Sequence, residues 1–181
     1  MISNDAIVWI DLEMSGLNPL QDKILEIATI ITDSNLSVIA EGPELTINQP
    51  ESLFATMDDW NQEHHTKSGL WEKVINSKIS LEEAESQTLA FIKKHCSERS
   101  APLAGNSIWQ DRRFLSIHMV NLNEFLHYRI IDVSSIKELT KRWYPDKEYK
   151  NKKGAHRALD DIKESIEELH YYKANVFKEI R

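Results

Sequence analysis

The chain has 181 residues, of which 41% are hydrophobic and 28% charged, so it has the size of one domain and the composition of a soluble globular protein. No run reaches the ~18 apolar residues of a membrane span, and the first residues lack the basic and apolar regions of a secretory signal. The net charge of −7 argues against the broad basic surface that grips long nucleic acid, and the single cysteine, Cys96, permits no intrachain disulfide and points to a reducing cytoplasm.

Residues 6–13 open with an apolar run that reads as a buried strand. The turn Gly16-Leu17-Asn18-Pro19 follows. Residues 23–32 are apolar and β-branched, a second strand, and residues 37–47 alternate loosely as a third, interrupted near Gly42-Pro43. Short turns between the three imply an antiparallel meander. Residues 51–65 read as one helix carrying Trp60 and the pair His64-His65.

Ser80-Leu81-Glu82-Glu83 has the form of a capping box, and apolar residues at helical spacing behind it predict a helix over 81–96. A short strand is expected at 101–105, a helix at 112–121 and a strand at 128–133. Ser134 and Ser135 can cap a helix running to Trp143. Residues 144–154 read as a polar, basic loop, and 155–178 as a long last helix. The basic residues between Lys137 and Arg157 form a local positive segment suited to steering an anion. The order βββααβαβαα fits an α/β domain, with one mixed five-stranded sheet whose first three strands are antiparallel and whose faces carry helices. No repeat or internal boundary interrupts it, so residues 1–181 are expected to form a single domain.

Three acidic groups carry the chemistry. Asp11 and Glu13 stand two apart at the end of the first strand, so both project from one face. Two anions that close repel unless a proton or a cation lies between them, and hard oxygen ligands suit Mg²⁺ or Mn²⁺. For an isolated D-x-E pair a solvated strand end is the commoner explanation. Asp111 precedes a predicted helix, where an acid also simply suits the helix dipole. His156 and Asp160 are i, i+4 neighbours, and spacing alone does not decide whether Asp160 or Asp161 faces inward. His64 and His65, being adjacent, do not make a zinc site by themselves.

Together, Asp11-x-Glu13, Asp111 and His156-x-x-x-x-Asp161 resemble the ordered motifs of the DEDDh family of 3′→5′ exonucleases, which have a ribonuclease H-like fold. The segments Trp9–Leu17, Ala40–Pro43, Gly105–Ile108, Gln110–Leu115 and Tyr128–Ser134 are similar to the oligoribonuclease branch of that family. Trp109 departs from the pattern, standing where a smaller residue is usual.

The resemblance selects Asp161 over Asp160. It implies that Asp11, Glu13, Asp111 and Asp161 hold two Mg²⁺ or Mn²⁺ ions and that His156 is the general base, releasing 5′-mononucleotides. It further implies that Leu17 and Trp60 pack against the two bases of a short substrate. His65, Ser107, Arg129 and Ser134 would form a cap on the 5′-phosphate, with Tyr128 reaching that cap from the partner subunit of a homodimer. The expected substrates are dinucleotides and very short RNAs, at the end of RNA decay and among the linear dinucleotides left when cyclic ones are opened. No membrane and no long nucleic acid is expected as a partner. The alternative is a relative that trims longer RNA or DNA 3′ ends. A module that holds RNA without cutting would lack one or more of the five motif residues, and all five are present.

Overall fold

The computed structural model describes residues 5–150 and 157–177. Strands β1 (Ile7–Met14), β2 (Ile24–Thr32) and β3 (Val38–Thr46) form the expected antiparallel meander. Strands β4 (Leu103–Gly105) and β5 (Ile130–Asp132) join in parallel, in the order β3-β2-β1-β4-β5. All nine residues of β2 are buried, as are the first four of β1, because helices cover both faces of the sheet.

The two-residue period of β1 sorts its side chains between two cores. Val8, Ile10 and Leu12 join Ile27, Ile31 and Leu45 beneath α3 (Leu81–Lys93), α4 (Ile108–His118) and α5 (Val120–Phe125). Trp9 joins Ala28, Ile30 and Ala104 on the opposite face, beneath α7 (Ala158–Asn175). There Ala158, Ile162, Ile166 and Leu169 form the apolar stripe of α7. Each such buried large side chain contributes about 1.5–3 kcal/mol. The Trp9 indole N–H donates to Thr32 Oγ1 at 3.0 Å, so its one polar atom is satisfied.

The predicted interruption of β3 is a bulge rather than a break. Glu41 pairs with Ile30 and Glu44 with Ala28, so Gly42 and Pro43 together oppose Thr29. Pro43 is tolerated because β3 lies at the sheet edge. A Cβ on Gly42 would stand 2.6 Å from the Phe91 ring, which requires glycine there.

The helical half departs further from expectation. The helix predicted over 51–65 is a 3₁₀ turn (Glu51–Thr56) followed by α1 (Asp59–Lys67). Met57 adopts an extended backbone and buries its side chain with Leu25, Leu70 and Val74, and the Asp58 side chain caps α1 by accepting from Asn61 N at 2.7 Å. An unexpected short helix, α2 (Leu70–Asn76), closes the same small core. Ser80 is the N-cap of α3, as expected, its Oγ accepting from Glu83 N at 3.2 Å.

Helix α4 begins four residues before the expected Arg112, which puts Asp111 inside its first turn. Asp132, not Ser134 or Ser135, caps α6 (Val133–Trp143), accepting from Ser134 N at 2.9 Å. A second 3₁₀ turn (Pro145–Lys147) lies in the predicted basic loop. No helix among the described residues is long and apolar enough to cross a membrane.

The topology places the site. Strands β1, β4 and β5 are mutually parallel, and their carboxyl ends lead into Asp11–Glu13, Asn106-Ser107 and Asp132–Ser134. Ligands of open α/β sheets gather at this end of the strands.

Candidate active site

Asp11 and Glu13 lie on the face of β1 that buries Trp9, two and four residues further along. Strand β4 pairs with β1 only at Val8 and Trp9 among the described residues, so the carboxylates stand beyond the end of that pairing. Helix α7 runs over this face and brings Asp161 to the pair. One oxygen from each of Asp11, Glu13 and Asp161 lies within 4.8 Å of the others. Asp160 points outward and is exposed, which agrees with the choice of Asp161.

Asp111 is buried beside this trio. Its Oδ1 accepts the backbone N–H of Leu12 at 3.0 Å, which fastens the first turn of α4 between the two β1 carboxylates. The protonation of these groups reports mutual repulsion in a desolvated place. Asp11 is held well above the ordinary carboxylate range by burial, then by the charges of Asp111, Glu13 and Asp161. Burial and the Asp161 charge push Glu13 up to about 8. Burial pushes Asp111 up to about 7 against the pull of its bond to Leu12. The converging carboxylates of Asp11, Glu13 and Asp161, with the charge of Asp111 beside them, form a donor set that fits a divalent metal. The family expectation of metal dependence is met by this acidic cluster.

Sequence reasoning overlooked a fifth acid. Glu26 is the lone charge in the apolar run of β2 and pairs directly with Glu13 across the ladder, so it faces the same side. It is fully buried and accepts from Thr46 Oγ1 at 3.1 Å and from Arg157 Nη2 at 3.3 Å. Arg157 also donates to Glu44 at 2.6 Å. Arg142 is likewise paired with Glu138, and Lys137 lies 3.8 Å from Glu168. Part of the basic segment expected to steer anions is therefore bound within the fold.

The predicted substrate contacts fall into separate groups. Leu17 is 70% exposed and Trp60 64% exposed, both large apolar side chains offered to solvent. Gln110 Nε2 donates to the Leu17 carbonyl at 2.7 Å and fixes its loop to α4. That loop needs Gly16, where a Cβ would meet the Asp22 carboxyl at 2.5 Å. The Trp60 ring lies flat on His64, with centroids 4.6 Å apart.

Ser107 and Ser134 come together with their hydroxyls at 3.2 Å. Ser107 holds a left-handed backbone at φ 52°, rare outside glycine, and its N–H is shared by Asp132 Oδ1 and Ser134 Oγ at 3.0 Å each. Tyr128 and Arg129 are exposed, with the Arg129 guanidinium 5.3 Å from the Tyr128 ring.

His65 stands apart from that pair. It is buried on α1, and its Nε2 donates to the Met14 carbonyl at 2.9 Å, the end of the carboxylate strand. Its Nδ1 has no hydrogen-bond partner among the described residues, and burial lowers the basicity of the ring. His156 lies outside the described residues. Trp109 is accommodated by pointing outward, where the Arg113 guanidinium sits 5.6 Å from its ring.

Comparison with known proteins agrees with this arrangement. A family model described as "Exonuclease" matches residues 8–169. The oligoribonuclease of Vibrio cholerae serotype O1 is 56% identical over 178 residues, covering 97% of this chain and 98% of that protein. The oligoribonuclease of Coxiella burnetii is 52% identical over 175 residues, covering 96% of each. Among solved structures, exonuclease I of Methylocaldum szegediense superposes with a TM-score of 0.70 at 15% identity, over 94% of this chain and 41% of that one. Exonuclease I of E. coli in complex with an oligonucleotide gives 0.70 at 13% identity, over 96% and 42%. These two share the fold, and the chain spans about two fifths of their length. On the strength of the family model and of relatives more than half identical over nearly the whole sequence, the chain belongs to the oligoribonuclease family of exonucleases.

Proposed function

We propose that this protein finishes RNA degradation, hydrolysing dinucleotides and very short oligoribonucleotides from the 3′ end to 5′-mononucleotides. Its family supplies the reaction class, hydrolytic 3′→5′ exoribonuclease activity on short oligoribonucleotides. The observation that supports the finer reading is the placement of two groups at one end of the sheet. The carboxylates Asp11, Glu13 and Asp161 converge at one place, and the Ser107–Ser134 pair rises from the neighbouring strand ends.

Asp11, Glu13, Asp111 and Asp161 would hold two divalent cations, Mg²⁺ or Mn²⁺. Bound there, such ions activate water and neutralise charge on the phosphate and its leaving oxygen. His156 would accept the proton of the attacking water, a task its ordinary pKa of about 6.5 suits. Leu17 and Trp60 would sandwich the bases, an interaction tolerant of sequence. Ser107, Ser134 and Arg129 would receive the 5′-phosphate and block a longer strand, while His65, buried on α1 with its Nε2 on the Met14 carbonyl, would back the site from beside the carboxylate strand. Tyr128 would complete this cap from a second copy of the chain, making a homodimer the working unit. Residues 1–181 would act as one exonuclease domain, in the cytoplasm.

The test is turnover of a 5′-phosphorylated dinucleotide by protein stripped of metal with a chelator. Activity should be absent, return with Mg²⁺ or Mn²⁺, and fail to return in Asp11→Ala. Full turnover without added metal, or by Asp11→Ala, would contradict the assignment.

A further inference from the structure

A polar stripe runs along α7 beside its apolar one. Asp161, Ser165, Glu168 and Tyr172 recur at helical spacing on the edge of the helix that faces the carboxyl end of β4. Glu168 is fully buried, a costly place for a carboxyl group unless donors surround it. Tyr172 OH donates to its Oε1 at 3.0 Å, and Asn106 Nδ2 donates to its Oε2 at 3.1 Å. Lys137 Nζ lies 3.8 Å from Oε1.

Asn106 is the junction of this network. Its Nδ2 also donates to Ser165 Oγ at 2.8 Å, and Ser165 Oγ in turn donates to the Asp161 carbonyl at 2.8 Å. Its Oδ1 accepts from Ser134 Oγ at 3.0 Å. Ser134 Oγ is the same atom that accepts the N–H of Ser107. A continuous chain of hydrogen bonds therefore runs from the backbone of Asp161, through Ser165 and Asn106, to Ser134 and Ser107. Both Nδ2 hydrogens and the Oδ1 of the Asn106 amide have partners, Ser165 and Glu168 for the first and Ser134 for the second.

We infer that Asn106, clamped by buried Glu168, is a positioning residue that sets the distance between the 5′-phosphate cap and the carboxylate cluster, and so the length of substrate the site accepts. The inference rests on the reading of Ser107 and Ser134 as that cap. The half-buried Asn106 side chain makes three hydrogen bonds, one of them to the fully buried Glu168, and these hold it in one orientation. Ser107, held in a left-handed backbone, would relax if Ser134 lost its acceptor at Asn106. A cap displaced by even an ångström would no longer engage a phosphate whose other end is fixed at the cluster.

The test compares one dinucleotide with and without its 5′-phosphate. In Asn106→Asp a second carboxyl group would face Glu168, replacing the donor with an acceptor. The preference for the phosphorylated form should fall by roughly 10- to 100-fold, as expected for a small misplacement, with a much smaller loss on the unphosphorylated form. Adding Glu168→Gln to Asn106→Asp exchanges donor and acceptor and should recover part of the preference. Ser165→Ala, a milder change, should move the preference in the same direction, and it decides the matter if Asn106→Asp does not fold. Equal losses on both substrates, no recovery in the double exchange, or an unmoved preference in Ser165→Ala would overturn the inference. A wild-type protein indifferent to the 5′-phosphate would instead overturn the cap reading, and with it the ruler built on that cap.

Discussion

The carboxylate of Asp111 accepts the backbone N–H of Leu12 at 3.0 Å, at the one residue lying between Asp11 and Glu13. This bond joins α4 to the carboxylate strand and sets the height of Asp111 beside Asp11. It also separates two roles that mutation can distinguish. Asp111→Asn keeps an oxygen to accept the Leu12 N–H and should fold normally while losing at least ~100-fold in turnover, the order of loss expected when a group stabilising transition-state charge is removed. Asp111→Ala leaves that buried N–H without its partner and should lose about 1–3 kcal/mol of stability as well. Thermal melts beside initial rates check both. A destabilised Asp111→Asn of full activity would reverse the assignment.

The carboxylate cluster makes stability depend on pH in a defined direction. Glu13 rises from 4.5 to about 8 and Asp111 from 3.8 to about 7 in the metal-free fold. The folded state therefore binds more protons than the unfolded chain between these limits, so stability is fullest below about pH 4 from these groups and falls as pH rises toward 8. Divalent cations compete with those protons. Mg²⁺ at a hundredfold excess over its Kd should stabilise by about 2.7 kcal/mol, with a larger rise in melting temperature at pH 8 than at pH 6. Equal shifts at the two pH values would contradict the cluster as the binding place.

Repulsion among the carboxylates should also be visible without metal. Asp11→Asn removes one charge from the group and should raise the stability of the metal-free protein by about 0.5–2 kcal/mol, the usual gain when a functional strain is relieved. The same variant should be inactive. A loss of stability would mean that Asp11 serves the fold.

Leu17 and Trp60 are exposed and carry little of the fold. Replacing either by Ala should change stability by less than about 0.5 kcal/mol. Stacking worth ~1–3 kcal/mol per base predicts a weaker dinucleotide affinity by roughly 5- to 150-fold. Titration of an inactive Asp11→Ala background with dinucleotide reads this directly. Unchanged affinity in both variants would remove the base-sandwich reading.

Tyr128 tests the dimer. If it completes the site of a second copy, Tyr128→Ala and Asp11→Ala proteins, each impaired, should regain activity when mixed, because the mixed dimer holds one intact site. No gain on mixing, or a monomer by sedimentation at micromolar concentration, would contradict the shared site.

The meander is legible in the sequence because its first two strands are short apolar, β-branched runs bounded by turn residues, and the i, i+2 spacing then puts Asp11 and Glu13 on one face. The break at Met57-Asp58 was not, since it follows from Met57 reaching a core built by Leu25 and Leu70, far away in sequence. Spacing left Asp160 and Asp161 open. The family resemblance chose Asp161, and the packing of α7 turns that residue, not Asp160, toward β1. Glu26 and Glu168 carry no motif, and their placement depends on cross-strand pairing and on which edge of α7 faces β4. Asn106 lies within the segment Gly105–Ile108 that resembles the family, yet its role as a junction depends on Ser165, Glu168 and Ser134, which are far away in sequence.

The most direct measurement is a time course with purified protein, Mg²⁺ and 5′-phosphorylated RNAs from two to about ten residues, the range over which a closed cap and an open channel differ. Rapid conversion of the dinucleotide to mononucleotides is expected, with little cutting of the longest strands. Equal or faster cutting of the long strands would contradict the closed cap and place the enzyme among exonucleases that process extended 3′ ends.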